Sequence, residues 1–418
     1  MNLAIPTWIA GLLACGMGVA LLGSVKVALA RKLEIDEGRV GGLVSMFGFA
    51  MIPVMLVMGF LTDLLDKQLV VITGSLLIVA SLVVLSRSAK YGSALLSVLM
   101  LSAGWSALVN VLNVLMLPAF GGTPTYAMNL GNFFFGLGAF ATPLVIVFLL
   151  KRAGFTPALL ALAALALISG VLALGVDFAA LTAPPKEQAA AETAAPAGET
   201  TPAAGETTAD TPAGDEQAAA PKADPGIGVL LVDPIMWLTA LALLFYAPME
   251  ATMAVWATTF LGDKGVSEGA ATGLLSGFWL AFMASRLATA LLVSRFPLPA
   301  GGDTTLIIVL AVLCVLVWAG AAFSPNRAVA GAMVILAGLV FGPTFPTVIG
   351  VLMGHVDPAL GGRAVGLFFA VGGIGWSVIP IMIGAYARKA GVQRAFLIAV
   401  AAAVGLCVVS VALAGAAA

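Results

Sequence analysis

The sequence is poor in charged residues, and this scarcity excludes most soluble classes of protein. Only 9% of its 418 residues are charged, whereas 61% are hydrophobic, and the formal net charge at pH 7 is −1. A typical soluble domain carries about 25% charged residues, so this composition indicates a protein that lies in lipid. The chain also has no run of basic residues, and we therefore expect no nucleic acid partner.

Histidine and cysteine, which supply most metal sites and many nucleophiles, are nearly absent. His355 is the only histidine, and the three cysteines, Cys15, Cys314 and Cys407, are scattered through apolar stretches. Their spacing is not that of metal ligands or of a disulfide framework, and we expect them to be small core residues. Because no nucleophile–base pair or metal cluster is visible, an enzyme is the least favoured class, and we predict no cofactor.

Long apolar stretches are abundant, and each is bounded by charges, glycine or proline. Six precede residue 181 and six follow residue 229, at 5–30, 38–61, 69–88, 92–117, 127–150, 156–180, 232–261, 268–294, 304–323, 327–352, 362–386 and 393–416. About 20 apolar residues cross a bilayer, and in lipid only helices and closed barrels satisfy every backbone polar group. Stretches this long and uniform predict an all-α membrane protein with twelve transmembrane helices.

The two halves of the chain resemble each other. In matching order, the first half has Asp36-Glu37-Gly38 and Lys151-Arg152-Ala153-Gly154, and the second has Ser267-Glu268-Gly269 and Arg388-Lys389-Ala390-Gly391. Repeated halves of this kind bind substrate near the midplane between them and work by alternating access. We therefore predict two pseudo-symmetric six-helix bundles, formed by residues 1–181 and 229–418.

Residues 182–228, between the two halves, have a different composition. They are rich in Ala, Pro, Thr and Gly, and they carry eight acidic residues against two lysines, Lys186 and Lys222. Such a segment has almost nothing large and apolar to bury, so we predict a disordered acidic linker. It is either a plain tether or a docking segment with a regulatory role.

Glu250 is the acidic residue that stands out. It lies near the middle of an apolar run from Ile235 to Leu261, whereas the other aspartates and glutamates fall in loops, in the linker or at predicted helix ends. A lone carboxylate at bilayer depth costs several kcal/mol unless it faces a cavity or a partner. Glu250 is therefore a candidate functional group, and the alternative is a structural carboxyl that is hydrogen-bonded between packed helices.

The loop after the second apolar stretch carries a recognisable motif. Gly59, Leu61 and Asp63 resemble the Gly-x-Leu-x-Asp motif of the major facilitator superfamily, although Asp66-Lys67-Gln68 stands where that motif has Gly-Arg-Arg. The resemblance implies a secondary transporter and a role for Asp63 as a buried charge or gating residue.

Further segments resemble the fucose:proton symporter-like branch of that superfamily. They are Gly104–Asn113, Met128–Pro143, Tyr246 with Glu250 and Trp256, Phe341–Pro346, and Gly372-Gly373 with Pro380. The resemblance implies a monomeric carrier of a small polar organic solute, with a sugar and protons as the expected cargo and Glu250 as the proton-coupling group. One departure bears on the coupling: that branch has an acid in the first helix and another in the fourth, whereas here Val109 stands at the fourth-helix position and the first helix offers only a base, Lys26.

Four asparagines form two pairs on the fourth and fifth predicted helices. Asn110 and Asn113 are three residues apart, and Asn129 and Asn132 repeat this spacing, so each pair lies on one helical face. Amides suit a hydroxyl-rich ligand, but they also join helices in lipid for about 0.6 kcal/mol per contact. We predict substrate contacts for all four, with Asn113 and Asn129 as the leading candidates.

Two basic residues and several aromatic residues complete the candidate set. Lys26 lies near the end of the first helix, where it either snorkels to the headgroups or faces a cavity. Arg286 lies nine residues before Arg295, too deep to snorkel easily, and we predict that it pairs with a carboxylate or gates the contact between halves. The aromatic rings that can stack on a sugar or pack between helices are Trp256, Trp279, Trp105 and Phe134.

Two topology signals disagree. The resemblance implies an inner-membrane protein with both termini and the central linker in the cytoplasm. On that model twelve lysines and arginines lie outside and five lie inside, which is the opposite of the positive-inside rule. We expect the orientation that the resemblance implies, because it depends on several motifs in order.

Two other functions remain open. The same fold could export drugs or metabolites, which a wide and weakly polar cavity would favour. A membrane sensor or scaffold that no longer transports would fit the missing acids and the long acidic linker.

Overall fold

Twelve long helices form the protein in this computed structural model, which describes residues 3–182 and 226–418. In chain order they are α1 Ala4–Leu33, α2 Glu37–Leu64, α3 Lys67–Arg87, α4 Tyr91–Val114, α5 Pro124–Ala153, α6 Phe155–Ala173, α7 Pro234–Asp263, α8 Glu268–Arg295, α9 Gly302–Ala322, α10 Arg327–His355, α11 Gly361–Ala390 and α12 Val392–Ala417. Each is long and apolar enough to cross a membrane. The predicted all-α membrane protein with twelve spanning helices is confirmed, whereas nearly all of the predicted linker lies outside the described residues.

Side-chain caps fix where several of these helices begin. Asp36 accepts a hydrogen bond from the Arg39 backbone N–H at the start of α2, and Asp66 caps α3 in the same way. Asp233 caps α7, which begins with a proline. Caps of this type satisfy backbone donors that a helix leaves unpaired at its first turn. The polar residues between the apolar stretches therefore act as helix boundaries.

Two predicted stretches are divided in the structure. The fourth ends as α4 at Val114, and a short helix, Met116–Phe120, follows it. The sixth ends as α6 at Ala173, and a separate short helix, Phe178–Thr182, lies beyond it. Asp177 begins this second short helix, because its carboxylate accepts from the Ala180 N–H. Hydropathy alone did not distinguish these divisions, since the two short helices are as apolar as the long helices before them.

The helices form two six-helix bundles, α1–α6 and α7–α12, which contact each other along α2 and α11. Glycines allow the two backbones to touch: a Cβ atom at Gly59 would lie 2.7 Å from the Gly362 carbonyl oxygen, and one at Gly366 would lie 2.6 Å from the Met55 carbonyl oxygen. Small residues are the usual means by which membrane helices approach closely.

The second contact between the bundles joins α5 to α8 and α10. Gly350 of α10 packs against the backbone of Pro124 at the start of α5, and Gly136 of α5 faces Met283 of α8. Since α5 begins and α10 ends at the membrane face where α6 ends and α7 begins, the bundles are closed on this α6–α7 face.

Candidate functional site

A cavity of about 260 Å³ lies between the two bundles. Eight helices line it, four from each bundle, with Leu12, Val19, Val44, Phe47, Gly48, Met51, Trp105, Val109, Asn113, Asn132, Phe135, Leu243, Tyr246, Ala247, Glu250, Arg286, Phe345, Phe369, Gly372, Gly373 and Trp376. Glu250 and Arg286 are the two charged residues in this set. The wall is otherwise apolar, aromatic or amide, which is the composition of a small-molecule site.

Glu250 and Tyr246 are one helical turn apart on α7 and share a contact. The Tyr246 hydroxyl oxygen lies 3.0 Å from Glu250 Oε2 and 2.7 Å from the carbonyl oxygen of Phe341 on α10. A phenol has one hydrogen, and a carbonyl oxygen can only accept. The three oxygens therefore need a second hydrogen if both contacts are to be hydrogen bonds.

Arg286 joins three helices from its place on α8. Its side chain is buried, at 3% exposure, and its Nε donates to the Gly342 carbonyl oxygen of α10 at 2.7 Å. Its Nη1 donates across the bundles to the Asn132 carbonyl oxygen of α5 at 3.1 Å. Among the described residues, no ion pair joins Arg286 to Glu250, although Glu250 and Tyr246 both lie within electrostatic range of the guanidinium.

A proline on α10 explains why the Gly342 carbonyl is available to Arg286. In a helix this oxygen would accept from the backbone N–H of the residue four positions later, and that residue is Pro346. Proline has no N–H, so the carbonyl is left for a side chain. The Phe-Gly-Pro-Thr-Phe-Pro segment thus positions the buried arginine.

The four asparagines divide into two roles. Asn113 and Asn132 line the cavity, and each donates through Nδ2 to a carbonyl of its own helix, at 2.8 and 2.9 Å. Their amide oxygens therefore remain as acceptors, and that of Asn113 is buried without a partner. Asn110 donates to the Gly362 carbonyl of α11 at 3.0 Å, and Asn129 donates to Thr347 Oγ1 of α10 at 3.3 Å. These two residues bridge the bundles outside the cavity wall.

Two other sequence candidates lie away from the cavity wall. Trp256 is half-buried on α7 and packs toward α11, where a Cβ atom at Gly384 would lie 3.3 Å from its ring. Lys26 is half-buried on α1. Neither is among the cavity-lining residues, whereas Trp105 is.

Asp63 lies at the α6–α7 face, on the start of α11. Its Oδ1 accepts from the Gly362 N–H at 2.6 Å and its Oδ2 from the Arg363 N–H at 2.9 Å, and Arg363 Nε lies 3.4 Å from Oδ2. The first backbone N–H groups of a helix are a natural carboxylate site. The sequence did not reveal Arg363 as a partner of Asp63, because 300 residues separate the two in the chain.

The aromatic wall was also missed. Phe135, Phe345, Phe369 and Trp376 line the cavity, but their helices are apolar on all sides, so hydropathy does not reveal which face is turned inward. The paired glycines before Trp376 were the available signal, since Gly372 and Gly373 lie at the same wall.

Comparison with known proteins gives a consistent result. Residues 7–380 match the family model of the Major Facilitator Superfamily. A 180-residue segment is 29% identical to bypass of stop codon protein 6 of Saccharomyces cerevisiae, and it covers 41% of this chain and 36% of that relative. The chain thus spans about a third of the length of this curated relative.

Solved structures share the whole fold. FucP, the E. coli fucose:proton symporter, in its outward conformation is 15% identical, with 99% of both chains covered and a TM-score of 0.73. A bacterial homologue of the iron transporter ferroportin, in an outward-facing state, is 13% identical, with the same coverage and a TM-score of 0.76. At such identities the similarity concerns the fold.

Proposed function

Because this chain belongs to the Major Facilitator Superfamily, we propose that it couples the transport of a small polar organic solute to protons by alternating access of its two bundles. The family and the fold are those of secondary transporters. The observation that carries the finer proposal is Glu250, a carboxyl at membrane depth on the wall of the cavity between the bundles. A carboxyl in that position is the typical proton carrier of a transporter.

The contacts of Tyr246 support a proton on Glu250. If Tyr246 donates its one hydrogen to the Phe341 carbonyl, the 3.0 Å contact with Glu250 requires a hydrogen on the carboxyl. An ionised carboxylate would compete with that carbonyl for the same hydrogen. Loss of the proton would therefore change the bonding of Tyr246 to α10. The Gly342 carbonyl of α10 accepts from Arg286 of α8, which donates to Asn132 of the other bundle, and this links proton release to a contact between the bundles.

The cavity favours a small solute with hydroxyl groups, such as a sugar. Its volume of about 260 Å³ is below the ~300–1,000 Å³ of sites for drug-sized ligands. The amide oxygens of Asn113 and Asn132 can accept from hydroxyls, and the rings of Trp105 and Trp376 can stack on an apolar sugar face. We propose that these four residues, with Glu250, contact the solute.

Export of a drug or metabolite is the second candidate, because most of the cavity wall is apolar or aromatic. It predicts binding of larger aromatic compounds, which the volume disfavours. A scaffold without transport would have no reason to retain a cavity with two charged residues between its bundles.

We further propose that the protein lies in the inner membrane as a monomer, with its termini and residues 182–228 in the cytoplasm. The closed α6–α7 face would then be cytoplasmic and the cavity would open outward. A cysteine placed at Thr201 and tested with an impermeant maleimide in intact cells checks this orientation, since labelling from outside would reverse it.

Uptake into proteoliposomes tests the proposed transport directly. Labelled monosaccharides and their acidic and amide derivatives would be offered with and without an inward proton gradient. We expect Glu250→Gln to abolish gradient-driven accumulation and to preserve exchange of solute for solute, because a glutamine keeps the size and hydrogen bonding of a protonated glutamate. Wild-type accumulation by this variant would remove Glu250 from the mechanism.

A further inference from the structure

The cavity contains one arginine whose charge is not balanced by a direct partner. Arg286 is 3% exposed, and its recorded hydrogen bonds go to two backbone carbonyls, which carry no net charge. Its guanidinium also lies over the Phe282 ring, 4.1 Å from the centroid. A buried guanidinium held in this way is fixed in position at the cavity wall, and among the described residues no carboxylate forms an ion pair with it. Such a group is well placed to bind an anion.

The charge of the cavity depends on Glu250. The titratable groups that face Glu250 are Tyr246 on its own helix and Arg286 on α8, while Cys314 of α9 is within range of Tyr246. With Glu250 protonated, as the contacts of Tyr246 favour, the charged cavity residues sum to +1. A neutral solute would leave that charge buried, whereas one carboxylate would neutralise it.

The remaining polar atoms of the wall restrict the rest of the ligand. Asn113 and Asn132 each commit one Nδ2 hydrogen to a backbone carbonyl, which leaves each amide with its oxygen acceptor and one further N–H donor. The buried Asn113 Oδ1 has no hydrogen-bond partner, and a buried acceptor gains most from a donor that reaches it. Hydroxyl groups both donate and accept and therefore suit these amides, whereas a second carboxylate would bring the charge of the loaded cavity to −1.

We propose that the transported solute is a small hydroxylated monocarboxylate, bound through its carboxylate by Arg286 and through its hydroxyls by Asn113 and Asn132. One proton on Glu250 accompanies one anion, so the loaded carrier moves no net charge. On release, the proton leaves Glu250 and the carboxylate leaves Arg286, and the ionised Glu250 then balances Arg286 in the unloaded carrier. This inference rests on the proposed proton coupling and adds the substrate class.

Matched acids and neutral analogues test the binding claim with the wild-type protein. The purified full chain in detergent, at slightly acidic pH, would be titrated with glucuronate against glucose and with lactate against lactamide, and binding followed by isothermal calorimetry. We expect each acid to bind at least ~10-fold more tightly than its neutral mate, because a charge-assisted pair is replaced by a neutral contact. Equal or tighter binding of the neutral mates, or no binding of either acid at millimolar concentration, would overturn the proposal.

Two variants test whether Arg286 is the source of the preference for acids over neutral analogues. Arg286→Gln should reduce the acid-over-neutral ratio to about one, whereas Arg295→Gln, an exposed residue at the end of the same helix, should leave it unchanged. Retention of the full ratio by Arg286→Gln would refute the assigned role. If that variant does not fold, Arg286→Lys provides the comparison, and it should keep a preference for acids at reduced affinity.

The gradient that drives uptake shows whether a failure lies in the anion assignment or in the proposed proton coupling. In proteoliposomes with labelled glucuronate, we expect uptake driven by a pH gradient and unaffected by a potassium–valinomycin membrane potential. Uptake driven by both gradients would preserve proton coupling and refute the one-to-one anion assignment. Uptake that responds to neither would refute the proton coupling itself.

Discussion

Two carboxylate–arginine groups join the bundles, and they differ in how completely their bonds are satisfied. At the α6–α7 face, Asp63 accepts two backbone hydrogen bonds and lies beside Arg363, with side-chain exposures of 1% and 4%. In the cavity, Glu250 and the Phe341 carbonyl both contact the one Tyr246 hydroxyl, and among the described residues no ion pair joins Arg286 to a carboxylate. In the first group both carboxylate oxygens are bonded and an arginine lies beside them, whereas in the second the carboxyl and the arginine are not paired with each other.

Because of this difference, we expect the two groups to have different roles. The buried Asp63–Arg363 pair stabilises one arrangement of the bundles, since it must break before α2 and α11 can separate. Two groups that are not paired with each other can exchange partners at little cost, which is what the proposed binding and release of a proton and a solute require. On the proposed mechanism, the same two residue types thus hold a closed face in one place and form a binding site in the other.

The largest expected effect on stability comes from breaking the Asp63 group. Asp63→Ala leaves Arg363 buried beside the unpaired N–H groups of α11, and loss of one partner of a buried pair costs ~3–5 kcal/mol. Thermal melts in detergent should show a large fall in Tm, whereas Glu250→Gln should melt close to wild type. If both variants melt alike, the contrast between the two groups is lost.

An intermediate effect is expected when Tyr246 is removed from the cavity group. Tyr246→Phe deletes the hydroxyl between Glu250 and the Phe341 carbonyl and should cost about 1–3 kcal/mol, because Glu250 loses its hydrogen-bond partner. It should also weaken coupling, so that gradient-driven accumulation falls more than solute exchange does. The control is Tyr386→Phe, an exposed tyrosine on α11, which should change neither. Equal loss of accumulation and exchange would indicate a purely structural role for Tyr246.

The sequence predicted the membrane-spanning helices well because lipid imposes a strict rule on them. Every backbone polar group must be bonded within the bilayer, so hydropathy and length suffice to find the twelve spans. The short helices after α4 and α6 escaped this rule, since their composition does not differ from that of the spans. Hydropathy also revealed Glu250, because it is a charged residue within an otherwise apolar run.

The site itself was predicted only in part, because its contacts are long-range. The pairing of Asp63 with Arg363 depends on how α2 meets α11, and no local pattern records that. The sequence does indicate that the Gly342 carbonyl is available, since Pro346 stands four residues later. It does not indicate which helix would supply the donor to this carbonyl.

The asparagine pairs show that spacing along a helix does not settle which side chain faces the cavity. Residues three apart on a helix differ by about 60° in direction at ~100° per residue. That rotation is enough to turn Asn132 toward the cavity and Asn129 toward Thr347 of α10. A spacing of three residues therefore does not decide between contact with a ligand and contact with a neighbouring helix.

A smaller effect should separate these two asparagines. Asn129→Ala removes a bond between the bundles and should lower stability by about 0.6 kcal/mol, with little change in solute affinity. Asn132→Ala removes an acceptor from the cavity and should weaken affinity with little change in Tm. Thermal melts and competition binding on both variants give the comparison, and a reversed pattern would mean that Asn129 contacts the solute.

The smallest effect is expected for the tryptophan that the structure places outside the cavity. Trp256 contacts α11 near Gly384, so Trp256→Phe keeps an aromatic ring in a packing position and should leave the affinity for the best-transported solute within about twofold. Trp376 lines the cavity, and Trp376→Leu should weaken affinity by several-fold, because an aromatic contact contributes ~0.5–1.5 kcal/mol. Competition binding on the two variants decides between them. If Trp256→Phe weakens binding more than Trp376→Leu, the solute extends beyond the cavity wall toward α7 and α11, and the boundary between the binding group and its packing neighbours must be redrawn.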